Sequence, residues 1–279
     1  MKKQLLALAG VALLFVACSK NDDNNPQPEP NPSNGSFSGL LKGMYTVTDT
    51  TRIEYNSDKT VSKFTSGWID GTDVGGSIST IKYENGRAVE IWESSYSESK
   101  VWGPNELTTQ FLYVGDKLQK VIEPGKADNY LYYDSARYNA SGKIEKIFRF
   151  GGMKPNIYIN STDSLVWTGN NITKTVHEGF SMIDGVVKPA YAYTDTYTFD
   201  DKPSWQAPLG VAAMNYSFDT ESLNANNILT HTRSQKDMAD RTNKYEYEYN
   251  DKNKVIKRTA TYTFDQRAGT VVAVFEYYK

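Results

Sequence analysis

Two residue types that carry much of protein chemistry are nearly missing from this chain, which has one cysteine, Cys18, and two histidines, His177 and His231. A single cysteine excludes an internal disulfide, and an acylated one leaves no thiolate for catalysis or for a metal. Two histidines give imidazole catalysis or a multi-histidine zinc site almost nothing to draw on. Each stands between polar neighbours and reads as a surface histidine on a strand. Charge of one sign is missing too: 31 basic residues face 33 acidic ones, for a net charge of −2. With no basic cluster interleaved with aromatics, nucleic acid is set aside as a partner. No Gly-x-Ser-x-Gly elbow occurs, since Gly179-Phe180-Ser181 begins like one and departs at Ile183. No phosphate-cradling loop precedes a helix. Asp70-Gly71-Thr72-Asp73 lacks the further spaced oxygens of a calcium loop and reads as a turn. No metal, cofactor or catalytic residue is nominated.

Helix-forming runs of Ala, Leu and Glu are absent after residue 18, whereas 20 Tyr, 11 Phe and 5 Trp are present. Aromatic and β-branched side chains suit a pleated, half-buried surface, so the expected class is all-β. The one long apolar run is Leu5 to Val16, behind the cationic start Met1-Lys2-Lys3. It is short for a membrane span, which needs about 20 residues. Leu14-Phe15-Val16-Ala17-Cys18 resembles the bacterial lipobox, cleaved and lipidated at its cysteine. Residues 1–17 are therefore expected to be a lipoprotein signal peptide and Cys18 the lipidation site. Residues 18–38 carry Pro26, Pro28, Pro30 and Pro32 between polar residues, a composition that forms an extended stalk. Within it, Ser19-Lys20-Asn21-Asp22-Asp23 resembles the acidic export signal of Bacteroidetes surface lipoproteins, which makes Lys20, Asp22 and Asp23 the candidate export residues.

Residues 39–279, about 240, suit a single large β domain. One unit recurs along it: an aromatic-rich strand, a turn of Asp, Asn, Gly or Lys, then an aliphatic-plus-lysine strand. Copies start at Ile53, Ile81, Phe111, Tyr138, Leu165 and Tyr245, with a variant at Tyr197 followed by a longer insert before Ser222. Asn85-Gly86 is the strongest turn signal, because both residues tolerate the positive φ of a type I′ hairpin turn. Tyr245, Tyr247 and Tyr249 alternate with Lys244, Glu246 and Glu248, and Tyr191, Tyr193, Tyr197 and Phe199 alternate with small and threonine residues. Such period-2 patterns describe strands with one buried face. About a dozen strands are expected, in an antiparallel meander of hairpins that curls strongly or closes into a barrel.

The Tyr-x-Tyr-Asn/Asp-x-x-Gly/Asn-Lys-Ile/Val pattern resembles tyrosine-aspartate repeats. The whole arrangement is more similar to a family of Bacteroidetes outer-membrane lipoproteins with a porin-like β fold, over roughly residues 45–279. Tyr197-Thr198-Phe199-Asp200-Asp201-Lys202-Pro203 is its most family-like segment. The resemblance implies a barrel and an outer-membrane address, with the chain tethered through Cys18 and facing the exterior. It implies no activity.

A spanning barrel needs an apolar outward band on every strand. Lys120, Lys143, Glu145, Lys146, Lys257 and Arg258 interrupt the strand faces here, so a soluble, monomeric barrel is expected. Trp68, Trp102 and Trp205 stand beside Gly or Pro at loops or strand ends. A flat indole there can stack on a sugar ring or plug the barrel as core, and Trp102, flanked by Lys100, Asn105 and Glu106, is the first candidate platform. The expected function is non-enzymatic binding of an extracellular glycan, peptide or partner protein. The rival readings are a carrier of a lipid or other apolar molecule on a concave β face, and a hydrolase acting through an unrecognised carboxylate pair.

Overall fold

The computed structural model describes residues 37–97, 101–124, 130–214, 216–263 and 268–279. The lipobox cysteine Cys18 and the export residues Lys20, Asp22 and Asp23 lie outside them. Phe37, assigned to the stalk by composition, is buried against Tyr55 and Tyr278.

Sixteen antiparallel strands follow one another around a closed barrel, and the last pairs with the first. They are β1 (Leu41–Tyr45), β2 (Asp49–Tyr55), β3 (Val61–Asp70), β4 (Asp73–Glu84), β5 (Arg87–Tyr96), β6 (Glu106–Val114), β7 (Lys117–Pro124) and β8 (Tyr130–Tyr138). The circuit continues with β9 (Ile144–Met153), β10 (Tyr158–Thr168), β11 (Asn171–Ile183), β12 (Val186–Pro203), β13 (Asn226–Gln235), β14 (Arg241–Tyr249), β15 (Val255–Tyr262) and β16 (Gly269–Tyr277). Closure removes the sheet edges that would otherwise pair with other chains. The end where β1 begins and β16 finishes is called proximal here, and the opposite rim distal.

Each recurring sequence unit becomes a hairpin turning at the proximal end. Asn139 closes one such turn by accepting amide hydrogen bonds from Ser141 and Lys143 on its side-chain oxygen, both at 3.0 Å. Asn250 does the same with Lys252 and Lys254. The Asn85-Gly86 turn has φ values of 51° and 75°, as the type I′ reading expects. Gly86→Val is therefore expected to destabilise the barrel by about 1–3 kcal/mol, because a β-branched residue is strained at positive φ. Urea unfolding measures this, and unchanged stability would remove the turn assignment.

Beyond each turn the returning strand carries one extra residue. Seven consecutive proximal hairpins shift register at that point: Tyr55 pairs with Val61 but Glu54 with Lys63, and Tyr249 pairs with Val255 but Glu248 with Lys257. The same step follows Ala88, Leu118, Ile144, Ile172 and Ile228. Such a bulge reverses the parity of every residue after it, so positions three apart, such as Leu118 with Val121 or Ile144 with Ile147, are buried together. Several aromatics at the proximal strand ends also tie their hairpin to the previous one. Tyr83 donates to the Val61 carbonyl at 2.8 Å, Tyr138 to Leu118 at 2.7 Å, Trp167 to Ile144 at 2.6 Å and Tyr277 to Val255 at 2.9 Å.

The expectation of about a dozen strands is corrected to sixteen. Of the charges taken to interrupt strand faces, Lys146 and Lys257 pair with Glu178 and Glu248 on the outer wall, but Arg258 lies just past a bulge and points inward over Trp205 and Tyr245.

Candidate functional site

The lumen is partly filled by the insert between β12 and β13. It leaves the barrel wall at Pro203, makes a 3-10 turn over Ala207–Ala213 and returns at Asn226. Leu209, Ala212, Met214 and Phe218 join the barrel's apolar core. The apolar residues of this segment bury themselves because the proximal half of the lumen is lined by the aliphatic side chains beside each turn. Asn227, 3% exposed, fixes the base of the insert: its side chain accepts from the Trp205 amide and donates to the Pro203 carbonyl, each at 3.1 Å. The tip reaches the far wall, where the Phe218 amide donates to Asp134 at 3.0 Å and the Tyr216 amide to Thr109 at 3.1 Å.

Above that tip the inner faces of β9 to β13 carry polar side chains matched strand to strand. Asp163 stands opposite His177 and accepts from its Nδ1 at 2.6 Å, while Arg149 donates to the other Asp163 oxygen and lies 3.6 Å from Asp134. Asp195 stands opposite Arg233, which grips both its oxygens at 2.9 Å, and His231 Nε2 is 3.1 Å away. The rings stack along the same wall, with Tyr193 on His177 at 4.4 Å and Tyr197 on His231 at 4.7 Å. Arg233 covers Tyr193 at 3.9 Å. Charge-assisted pairs of this kind fix side-chain positions more strongly than neutral hydrogen bonds.

The titration of these acids follows from their partners. Burial raises the carboxyls of Asp163 and Asp195, yet the hydrogen bonds and charges of His177 and Arg149, and of His231 and Arg233, outweigh it and hold both below the usual carboxylate range. Burial pushes Asp134 up to about 6, with Arg149 and the Phe218 amide only partly offsetting it. Asp219 is likewise raised by burial.

Between the wall and the insert lies a cavity of about 320 Å³, bordered by Asp163, Thr175, Asp195, Tyr197, His231 and Arg233 from the wall and by Ser217 to Glu221 from the insert. A second cavity of about 270 Å³ has a more apolar lining that includes Leu41, Ile53, Phe64, Ile91 and Leu209. Asp219 borders both. A hydrolytic acid pair would need one raised and one ionised carboxyl facing a common cavity. Asp134 is absent from both linings and is committed to the Phe218 amide, whereas Asp219, raised by burial, shares the larger cavity with Asp163 and Asp195, which are held low, so the cavity contains acids of both kinds.

The three candidate tryptophans are not brought together. Trp68 lies near the distal end of β3, flat across Gly75, its cross-strand partner. Trp102, 46% exposed, packs edge-on against Tyr96 in the β5–β6 connection. Trp205 is at the base of the insert, against Phe275 at 5.0 Å. The surface reading of the histidines is corrected: both face the lumen and only 8% of His177 is exposed. They, Arg149 and Arg233 escaped sequence reasoning, although Asp195 on the tyrosine parity of Tyr191-x-Tyr193-x-Asp195-x-Tyr197 was a visible signal of a polar lumen.

By architecture this is a porin-like barrel: all-β, antiparallel, closed by sixteen strands and part-filled from one end. Among solved structures it is similar to a porin-like protein from Bacteroides uniformis, with a TM-score of 0.53 and 12% identity over 86% of this chain and 98% of that one. A porin-like protein from Bacteroides vulgatus matches with a TM-score of 0.45 and 11% identity, over 85% of this chain and 98% of that one. At such identity the first likeness concerns the fold. No family model matches the chain, and no curated protein is detectably similar to it.

Proposed function

We propose that this chain is a lipid-anchored outer-membrane lipoprotein whose soluble, outward-facing barrel captures a small extracellular ligand, a glycan or peptide fragment, in its lumen without chemistry of its own. The observation that carries this reading is the cavity of about 320 Å³ kept open above the insert by matched Asp, His and Arg pairs. Its size suits a compact polar molecule. Standing clear of the bilayer is supported by cross-strand ion pairs spaced around the outer wall, among them Lys42 with Glu276, Lys63 with Glu54 and Lys257 with Glu248. Lipid-facing lysines are costly, about 2–4 kcal/mol each at the bilayer midplane. The described residues begin at the proximal end, and Trp102 lies in the β5–β6 connection at the opposite rim.

Two variants test this. Cys18→Ala is expected to move the protein out of the outer-membrane fraction, and a variant still embedded there would mean that the barrel itself sits in lipid. In a screen against glycans and peptides, Trp102→Ala is expected to weaken binding several-fold with an unchanged Tm, since the indole is a rim group. The apolar lining of the second cavity favours one other reading, a carrier of an apolar molecule. Saturable uptake of a fluorescent fatty acid would support it.

A further inference from the structure

We propose that the ligand of the lumen carries a primary ammonium group, received by the Asp219 carboxylate and hydrogen-bonded by Thr175. This rests on the capture reading above and narrows it to a class of ligand.

Thr175 supplies the first observation. It is 5% exposed, borders the larger cavity, and its Oγ1 has no well-formed hydrogen bond, the Tyr197 hydroxyl being the polar group beside it. Leaving a buried hydroxyl poorly matched is destabilising, a deficit that a ligand in the cavity removes. Asp219, which borders the same cavity, supplies the second. Its carboxyl accepts the Glu221 amide at 2.9 Å and is also hydrogen-bonded by Ser222, and no Lys, Arg or His pairs with it among the described residues.

The local charges decide the sign of the guest. Arg233 and His231 are engaged with Asp195, and Arg149 stands between Asp163 and Asp134. Asp163 and Asp195 hold cations, whereas Asp219, beside Glu221 in the lining, has none among the described residues, and burial raises its pKa, a cost that a cation would offset. An anionic guest would meet uncompensated carboxylate in a poorly hydrated lumen, and a neutral polyol would gain hydrogen bonds but leave the charge unpaired. An ammonium group supplies three donors and the missing charge. Asp219 also borders the second cavity, where the only other acid is Glu93 and no cation contributes to the lining. The carbon skeleton of an amine therefore finds apolar room beside its charge.

Isothermal titration of the full chain with cadaverine and glucosamine, each compared with the neutral solutes N-acetylglucosamine and glucose, tests the assignment. Both amines are expected to bind at least about tenfold more tightly than the neutral sugars, and Asp219→Asn to lose about that factor, the usual worth of a charge-assisted bond. Asn keeps an oxygen for the Glu221 amide, so the barrel should remain folded by circular dichroism. Thr175→Val removes a hydroxyl with no well-formed bond in the barrel, so it should keep the fold by circular dichroism and bind the amines several-fold more weakly. Neutral sugars binding as tightly as the amines would overturn the ammonium assignment and leave capture in the lumen standing. Binding of neither class would overturn it too, and the glycan and peptide screen then reports on capture itself. If Asp219→Asn unfolds, Thr175→Val decides, and unchanged amine binding by that variant overturns the proposal.

Discussion

Arg149→Met is expected to lower the unfolding free energy by about 3–5 kcal/mol at neutral pH, the cost of leaving buried carboxylates without their cation. Arg149 is hydrogen-bonded to Asp163 and lies 3.6 Å from Asp134, and both acids are buried on the inner wall. The deficit should depend on pH with a definite sign. Asp134 titrates at about 6 in the folded chain, against about 4 when unfolded. Its contribution is complete below the unfolded value and is lost as pH rises through about 6, so the parent protein already weakens across that window. Removing the guanidinium raises the folded pKa further, so the Arg149→Met deficit should shrink as pH falls and the carboxyl takes up its proton. Asp163 and Asp195 act in the opposite sense, because their contributions are lost only as pH falls below the ordinary carboxylate range. Urea unfolding at several pH values follows both limbs. In the double variant Arg149→Met/Asp163→Asn part of the loss should return, since the close pair is then uncharged while Asp134 still lacks its cation. A pH-independent deficit would mean that Arg149 acts through packing alone.

Phe218→Ala should cost a similar amount, about 3–5 kcal/mol, for a different reason. Phe218 is 2% exposed at the tip of the insert, packed into the same apolar core as Leu209 and Met214. Truncation loses the transfer energy of the ring and leaves a void that the closed wall cannot collapse to fill. Its amide also holds the tip on Asp134, so the floor of the cavity should loosen and ligand binding fall together with stability. A loss under about 1 kcal/mol would show that the insert is a passenger in the lumen. Trp102→Ala is the contrasting case, an exposed rim residue whose removal should leave stability alone.

Local chemistry, which a sequence displays directly, accounts for the hairpins. The Asn85-Gly86 turn, the asparagine-closed turns at Asn139 and Asn250 and the tyrosine face of Tyr245, Tyr247 and Tyr249 lie where their residues indicate, because turn geometry and period-2 alternation depend on neighbours a few positions away. The errors in reading side-chain direction share one cause. Counted by twos from Ile172, Ile228 and Val255, the residues His177, His231 and Arg258 fall on the outer face. The bulge beyond each turn inserts one residue and turns all three inward. The strand count fell short for another reason: β1 is only five residues long, and its partner β16 lies more than two hundred residues away in the chain.

By itself, the sequence determined that this chain is all-β, that it is built from repeated hairpins with aromatic faces, and that it has too few cysteines and histidines for disulfide or multi-histidine zinc chemistry. Those properties follow from composition and short-range pattern. Tertiary structure alone decided that the meander closes at sixteen strands, that the insert after Pro203 folds back into the lumen, and that Asp163, Thr175, Asp195 and Asp219 border one cavity. Closure and cavity both rest on contacts between residues far apart in the chain, and each bulge reverses which face a side chain takes, so no local pattern carries that information.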